Sequence, residues 1–211
     1  MRFIYYILSI MIEKTQEEVL HTVLSNILHM LANRHLIQHE EKKDIFDKIT
    51  QNIDDINYEF DINKFITVKI IKEKISTIKR YGNIEDYFFK NRTRHKIIII
   101  KDLNQKLYKQ ITEFSKTEVF REDEMMINVV DHKLQPFKFE LLNSEDKDKV
   151  LEEYNVKSRQ MPKINEFDII TRYYNAKVGD IFRIVRKSPI GVLDVIYRIV
   201  KPSSLEDLFK K

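Results

Sequence analysis

HKLQP (132–136), SEDKDKVLEEYNV (144–156), QMPKI (160–164), FDIITRYY (167–174), VGDIFRIVRKS (178–188) and VIYRIV (195–200) follow one another through the last third of the chain. Together they spell a small α/β module. Leu134–Pro136 reads as extended chain. Asn143 or Ser144 then caps a helix that turns Val150, Leu151 and Tyr154 inward. A loop bounded by Pro162 leads to a second, short helix capped by Asp168, with Ile169, Ile170 and Tyr173 or Tyr174 on its apolar side. Residues 181–186 and 192–199 alternate with period two and form a hairpin around a Gly191 turn. None of these motifs pairs a nucleophile with a base, two carboxylates or a set of metal ligands, so the module reads as an assembly surface.

Upstream, TEVFREDEMMINVVDH (117–132) leads into this module, and Met125–Val130 has the apolar run of a strand. HKIIIIK (95–101) is a continuous β-branched run flanked by charge, the pattern of a strand covered on both faces. Asp102 is placed to cap the helix that follows. In that helix Leu103, Leu107, Ile111 and Phe114 share one face, and Lys106, Lys109, Gln110 and Lys116 show on the other. Lys64–Ile71 is β-rich, although Lys69–Lys79 fits a helix equally well. Residues 13–36 carry a wide apolar stripe at helical spacing, and residues 44–56 read as a second helix or helical turn. The expected fold class is α/β in the α+β sense: an N-terminal domain over 1–130 of helices on a small sheet, then a C-terminal module with a β-hairpin over 131–211.

At 211 residues and 43% hydrophobic content, the chain buries one or two proper cores. It contains no Cys, which excludes disulfides, thiolate metal sites and thiol nucleophiles and suits a reducing compartment. Abundant Ile, Lys and Asn fit an A+T-rich coding genome, such as that of a large cytoplasmic DNA virus or a parasitic eukaryote. The apolar opening MRFIYYILSIMI (1–12) is too short to span a bilayer, which takes about 20 residues. No small-residue cleavage site follows it, so a helix face or a start at Met11 is expected.

The net charge of +4 becomes informative once it is divided along the chain. Residues 62–116 hold 14 Lys and Arg against 5 Asp and Glu, whereas residues 1–61 hold 6 against 11. A basic segment of this kind attracts a polyanion through counterion release and demands no base sequence. The candidates to face DNA are Lys90, Arg92, Arg94, Lys101, Lys106, Lys109 and Lys116. A solvated Lys-rich surface is the bland account of the same residues.

Several further constellations invite chemistry. His35 and His39 would stand one helical turn apart, a spacing zinc uses, but the Glu of a zincin is missing and polar helix-end histidines account for them better. Lys90–Lys96 after Tyr87-Phe88-Phe89 has the makings of a single-strand stacking platform or an import signal, although aromatics leading into a buried strand more often pack its core. Adjacent Glu152 and Glu153 face apart and form no acid/base pair. Arg172, Arg183, Arg186 and Arg198 stand beside aromatics, where guanidinium groups make forked hydrogen bonds and stack. No catalytic residue, metal or cofactor is expected.

The ordered motifs of the last third resemble the fifth subunit shared by the eukaryotic nuclear RNA polymerases, whose C-terminal half also stands alone as a small component of the archaeal RNA polymerase. The residues that carry the resemblance are His132, Leu134 and Pro136; Ser144, Glu145 and Tyr154; Gln160, Met161, Pro162 and Ile164; Asp168, Arg172 and Tyr173; Gly179 and Asp180; and Ile184, Arg186, Ser188, Tyr197 and Arg198. Ile169 departs from the family's Pro, and the turn 188–194 shifts its Gly by one position. The resemblance implies a non-catalytic polymerase subunit, and together with the A+T-rich coding it points to a homologue encoded by a large cytoplasmic DNA virus. Its C-terminal module would dock on the largest subunit through His132, Pro136, Pro162, Asp168, Arg172, Tyr173, Arg186, Tyr197 and Arg198, which serve as interface or module-organising residues. Its N-terminal jaw would lie along downstream duplex DNA without reading sequence, and no membrane partner is implied. The location would be host cytoplasm and virion for a viral protein, or the nucleus for a cellular one. The competing readings are a free-standing DNA-binding regulator and a membrane-tethered interaction protein.

Overall fold

A computed structural model describes residues 15–51, 58–72, 75, 77, 78, 82–132, 138–187 and 192–209. The expectations for residues 1–12, for the extended Leu134–Pro136 and for the Gly191 turn fall outside these residues. The chain divides into two compact units, Met1–Ile127 and Asn128–Lys211, and its architecture is α+β.

The N-terminal unit opens with helix α1 (Gln16–Asn33). Its start is fixed reciprocally: the Glu18 N–H donates to Thr15 Oγ1 (3.2 Å) and the Thr15 N–H donates to Glu18 Oε2 (2.7 Å). Leu20, Val23, Leu24, Ile27, Leu28 and Leu31 then bury one stripe. The helix ends where His35 takes a left-handed conformation, φ 58°, letting its N–H reach Ala32 O and the Leu36 N–H reach Leu31 O. His35 is thus a helix terminator rather than a helical residue. It and His39 lie in the turn before helix α2 (Glu41–Gln51) and do not share a helical face.

Strands β1 (Glu59–Asn63), β2 (Ile66–Ile71), β3 (His95–Ile100) and β4 (Thr117–Arg121) form one sheet in that order. β1 and β2 are antiparallel around a turn held by Asn63 Oδ1, which accepts from the N–H groups of Phe65 and Ile66, both at 2.9 Å. The other two pairings are parallel, with helix α3 (Gly82–Lys90) leading into β3 and helix α4 (Gln105–Thr112) joining β3 to β4. Parallel strands need such crossovers and are buried on both faces, which is why β3 can be an unbroken isoleucine run.

Three local expectations change. The cap of α4 is Asn104, whose Oδ1 accepts from the Leu107 N–H at 2.8 Å, and not Asp102. The ambiguous 64–79 segment resolves as strand over Ile66–Ile71. Met125–Val130 is no strand: Glu122–Met125 is a helical turn, α5, because three acidic residues start it and Glu124 Oε2 accepts from the Arg121 N–H at 2.8 Å.

The C-terminal unit contains β5 (Lys138–Leu141), helix α6 (Ser144–Glu153), a 3-10 turn over Ser158–Gln160, β6 (Lys163–Asn165), helix α7 (Ile169–Tyr173), β7 (Ile181–Lys187), β8 (Leu193–Lys201) and helix α8 (Glu206–Phe209). Its sheet order is β5-β7-β8-β6, so two short strands form the edges. The segment after Pro162, expected as loop, supplies β6 parallel to β8. Asn143 and Asp168 cap α6 and α7 through side-chain oxygens that accept from Asp146 and Ile170 N–H, each at 2.9 Å. Both helices end on left-handed asparagines, Asn155 and Asn175, at φ 48° and 51°. The hairpin β7–β8 has a core on each face. Phe139, Ile164, Ile170, Phe182, Ile184 and Val200 pack on one side, and Val150, Met161, Ile181 and Ile199 on the other.

Candidate nucleic-acid and docking faces

The basic residues of the N-terminal unit sit at opposite ends of its sheet. Ile66 pairs with His95, and Lys96 with Thr117, so the strand starts of β2, β3 and β4 are aligned. Lys64 and Phe65 precede β2, Lys90 ends α3 and is followed by Arg92 and Arg94 before β3, and Lys116 precedes β4. Lys101 leaves β3 at the far end, about 20 Å away for six residues of strand, and Lys106 and Lys109 are exposed on α4. The seven candidates are thus divided between the strand-start end of the sheet, the far end of β3 and the surface of α4.

Arg94 is tied inward: Nη1 lies 2.8 Å from Asp61 Oδ1, and Nη2 donates to the Asn63 carbonyl at 2.6 Å. Lys116 Nζ donates to the Thr93 carbonyl (3.2 Å), fastening the α4–β4 loop to the α3–β3 loop. Lys90, largely exposed, reaches Glu59 at 3.5 Å. Arg92, Lys101, Lys106 and Lys109 are exposed cations.

Lys96 is only 1% exposed, and its ammonium donates to the carbonyls of Asn91 (3.1 Å) and Arg94 (2.9 Å). Burial lowers its pKa, and the charge of Lys116 adds to the effect. Beside it lies a cavity of 350 Å³ lined by Phe88, Phe89, Arg92, Lys96, Glu113 and Phe114, where Phe88 and Phe114 stack face to face with centroids 4.1 Å apart. Of the three aromatics in sequence, Tyr87 and Phe88 are core residues, whereas Phe89 is 71% exposed.

Sequence reading missed the anchor of this unit. Glu118 on β4 receives both guanidinium nitrogens of Arg34, at 2.8 and 2.7 Å, and lies 2.6 Å from His95 Nε2. Burial alone would raise its pKa, but the His95 hydrogen bond and the Arg34 charge win and hold it near 2. Its partners are 84 and 23 residues away, so no local pattern announces them. On α5, the Glu122 carboxyl is pushed up by burial, partly offset by Lys101 and Lys72.

In the C-terminal unit the candidates scatter. Tyr173 is 3% exposed and belongs to the core, and Asp168 is a helix cap. Arg186 pairs with Asp194 across the hairpin at 3.2 Å, and Arg183 Nη1 donates to Glu140 Oε2 at 2.8 Å. Lys138 also pairs with Glu140, and its hydrogen bond, followed by that of Arg183, lowers the carboxyl's pKa. Tyr197 meets Tyr154 edge-on with centroids 5.6 Å apart. Tyr154, expected to turn inward, is 55% exposed because it is the C-cap of α6. Arg198 and Pro162 are exposed, and Arg198 Nη1 reaches the Lys163 carbonyl at 3.5 Å. His132 and Arg172 are half-buried and partnered. Pro136 lies outside the described residues. Among the described residues no three metal-ligating side chains cluster, and no helix is long and apolar enough to cross a membrane.

Comparison with known proteins matches the family described as RNA polymerase Rpb5, C-terminal domain, over residues 127–200. The chain is 30% identical over 197 residues to DNA-directed RNA polymerase subunit 5 of Acanthamoeba polyphaga mimivirus, covering 90% of this chain and 95% of that protein. It is 40% identical over 74 residues to subunit Rpo5 of Methanocaldococcus jannaschii, 35% of this chain and 94% of the archaeal protein. To subunit rpabc1 of the RNA polymerases I, II and III of Dictyostelium discoideum it is 32% identical over 135 residues, 61% of this chain and 66% of that protein. The archaeal match is confined to about a third of the chain, whereas the viral one spans both units. This chain belongs to the RNA polymerase subunit 5 family.

Proposed function

We propose that this protein is a non-catalytic subunit of a multisubunit DNA-directed RNA polymerase. Its C-terminal unit docks on the largest subunit, and its N-terminal unit supports downstream duplex DNA. The observation that carries the polymerase assignment is the near full-length similarity to a viral polymerase subunit. The docking reading rests on the C-terminal unit, where Arg186, Arg198 and Pro162 are exposed on a module stiffened by a core on each face of its hairpin. Arg is among the residue types that dominate interface energetics. The DNA reading rests on exposed cations: Lys106 and Lys109 on α4 take no ion-pair partner among the described residues. Phosphate contacts of this kind position a duplex without specifying its sequence. Phosphoryl transfer belongs to the large subunits, and the isolated chain performs none. The protein resides where its polymerase works, in host cytoplasm and virion for a virus or in the nucleus for a cell.

Charge reversal provides the test. Lys101→Glu, Lys106→Glu and Lys109→Glu together weaken elongation complexes at low salt while the chain still enters the polymerase; unchanged DNA retention removes the duplex from this face. Because Tyr173 is buried, docking is read from Arg186→Ala with Arg198→Ala, which lowers incorporation without lowering the melting temperature. A tagged chain that copurifies with no large polymerase subunit returns the reading to a free-standing DNA-binding regulator.

A further inference from the structure

The loop end of the N-terminal sheet differs from the α4 surface in one respect: apolar rings stand among its cations. Phe65 is 65% exposed with Lys64 Nζ 5.0 Å from its ring centre, and Phe89 is 71% exposed between Phe88 and Lys90. Single exposed rings are ordinary, but here two stand at one end of the sheet with cations beside them. The cavity beside Phe89 has the Phe88–Phe114 stack in its wall. Lys96 also lines it, with two of its three N–H donors committed to carbonyls. The third has no partner among the described residues.

We propose that this end of the sheet binds single-stranded nucleic acid, with one unpaired base entering the cavity against Phe89. Arg92, Lys90 and Lys116 face the phosphates on either side, and Lys96 donates to a carbonyl of the base. The proposal rests on the N-terminal unit being the nucleic-acid face of the protein, but it uses residues other than those on α4. Stacking on an aromatic ring is available only to a base out of the duplex, because paired bases already stack on their neighbours. Cations flanking sequence-tolerant rings are the combination that tracks an unpaired strand. Glu113, the one carboxylate on the cavity wall, disfavours a phosphate there and so favours entry of the base. An acidic peptide would satisfy the same cations, yet it would leave Phe65 and Phe89 exposed unless it carried apolar anchors at both.

Fluorescence anisotropy on the purified full chain tests this, with a labelled short oligothymidylate and a duplex of the same length. Phe89→Ala is expected to weaken oligothymidylate binding about 5- to 100-fold and leave duplex binding unchanged. Arg92→Ala should weaken it too and flatten its salt dependence. Lys96→Met removes the base contact at nearly constant volume, and a melting curve shows whether it folds; if it does not, the Phe89 result decides alone. Oligothymidylate binding unaffected by Phe89→Ala overturns the proposal, as does equal Phe89-dependent binding of polyglutamate. The Lys101, Lys106 and Lys109 reversal should spare oligothymidylate binding, so the duplex reading and this one fail separately.

Discussion

The two units use charge in opposite ways. In the N-terminal unit a buried carboxylate, Glu118, joins the end of α1 to the starts of β3 and β4 through Arg34 and His95. In the C-terminal unit the ion pairs Arg186–Asp194 and Arg183–Glu140 lie on the surface, and two apolar clusters hold the hairpin. A buried pair is costly to break because the remaining charge cannot return to water, whereas a surface pair exchanges its partner for solvent at little cost. Stability of the N-terminal unit should therefore respond to single charges and to acid, and that of the C-terminal unit to volume and caps.

Removing one charge is the sharpest way to break that contrast. Arg34→Ala strands Glu118 beside His95 alone and should cost about 3–5 kcal/mol in urea unfolding. A loss below about 1 kcal/mol would mean that the network is decorative. Acid comes next. Glu118 titrates near 2 instead of 4.5, so stabilisation complete above pH 4.5 disappears as pH falls toward 2, on the order of 3 kcal/mol. Glu122, whose pKa burial raises, contributes with the opposite sign. Glu118→Gln should flatten the acid limb of the profile, and an unchanged limb would place the titration elsewhere. In the C-terminal unit Asn143→Ala removes the α6 cap and should cost about 1 kcal/mol by thermal unfolding. The smallest effect is expected from Arg186→Ala, below about 0.5 kcal/mol, because its partner remains solvated. A larger loss would show that the surface pairs carry weight.

The same contrast explains what could be read in advance. Helices α6 and α7 and the hairpin announce themselves locally through an Asn or Asp cap, an asparagine stop and alternating apolar residues, so their order and spacing were legible. Strand β6 escaped because three residues leave no periodicity to detect. In the N-terminal unit, β3 stood out through four consecutive isoleucines, whereas β1 (EFDIN), whose buried Phe60 and Ile62 alternate with polar residues, is only five residues long and is easily passed over until the Asn63 turn lays it against β2. The run after Met125 looked like a strand on apolarity alone, but the helical turn that the acidic triplet starts ends at Met125, and residues 126–130 are irregular. Basic residues were easy to list, yet their division between two ends of a sheet is a property of strand register, which composition cannot express.

The C-terminal sheet is bounded by strands of four and three residues, and Lys138 and Lys163 lie on them. So few open backbone groups, guarded by positive side chains, cannot template the addition of a neighbouring copy. At the edges of this sheet a second copy of the chain therefore finds little backbone with which to extend it.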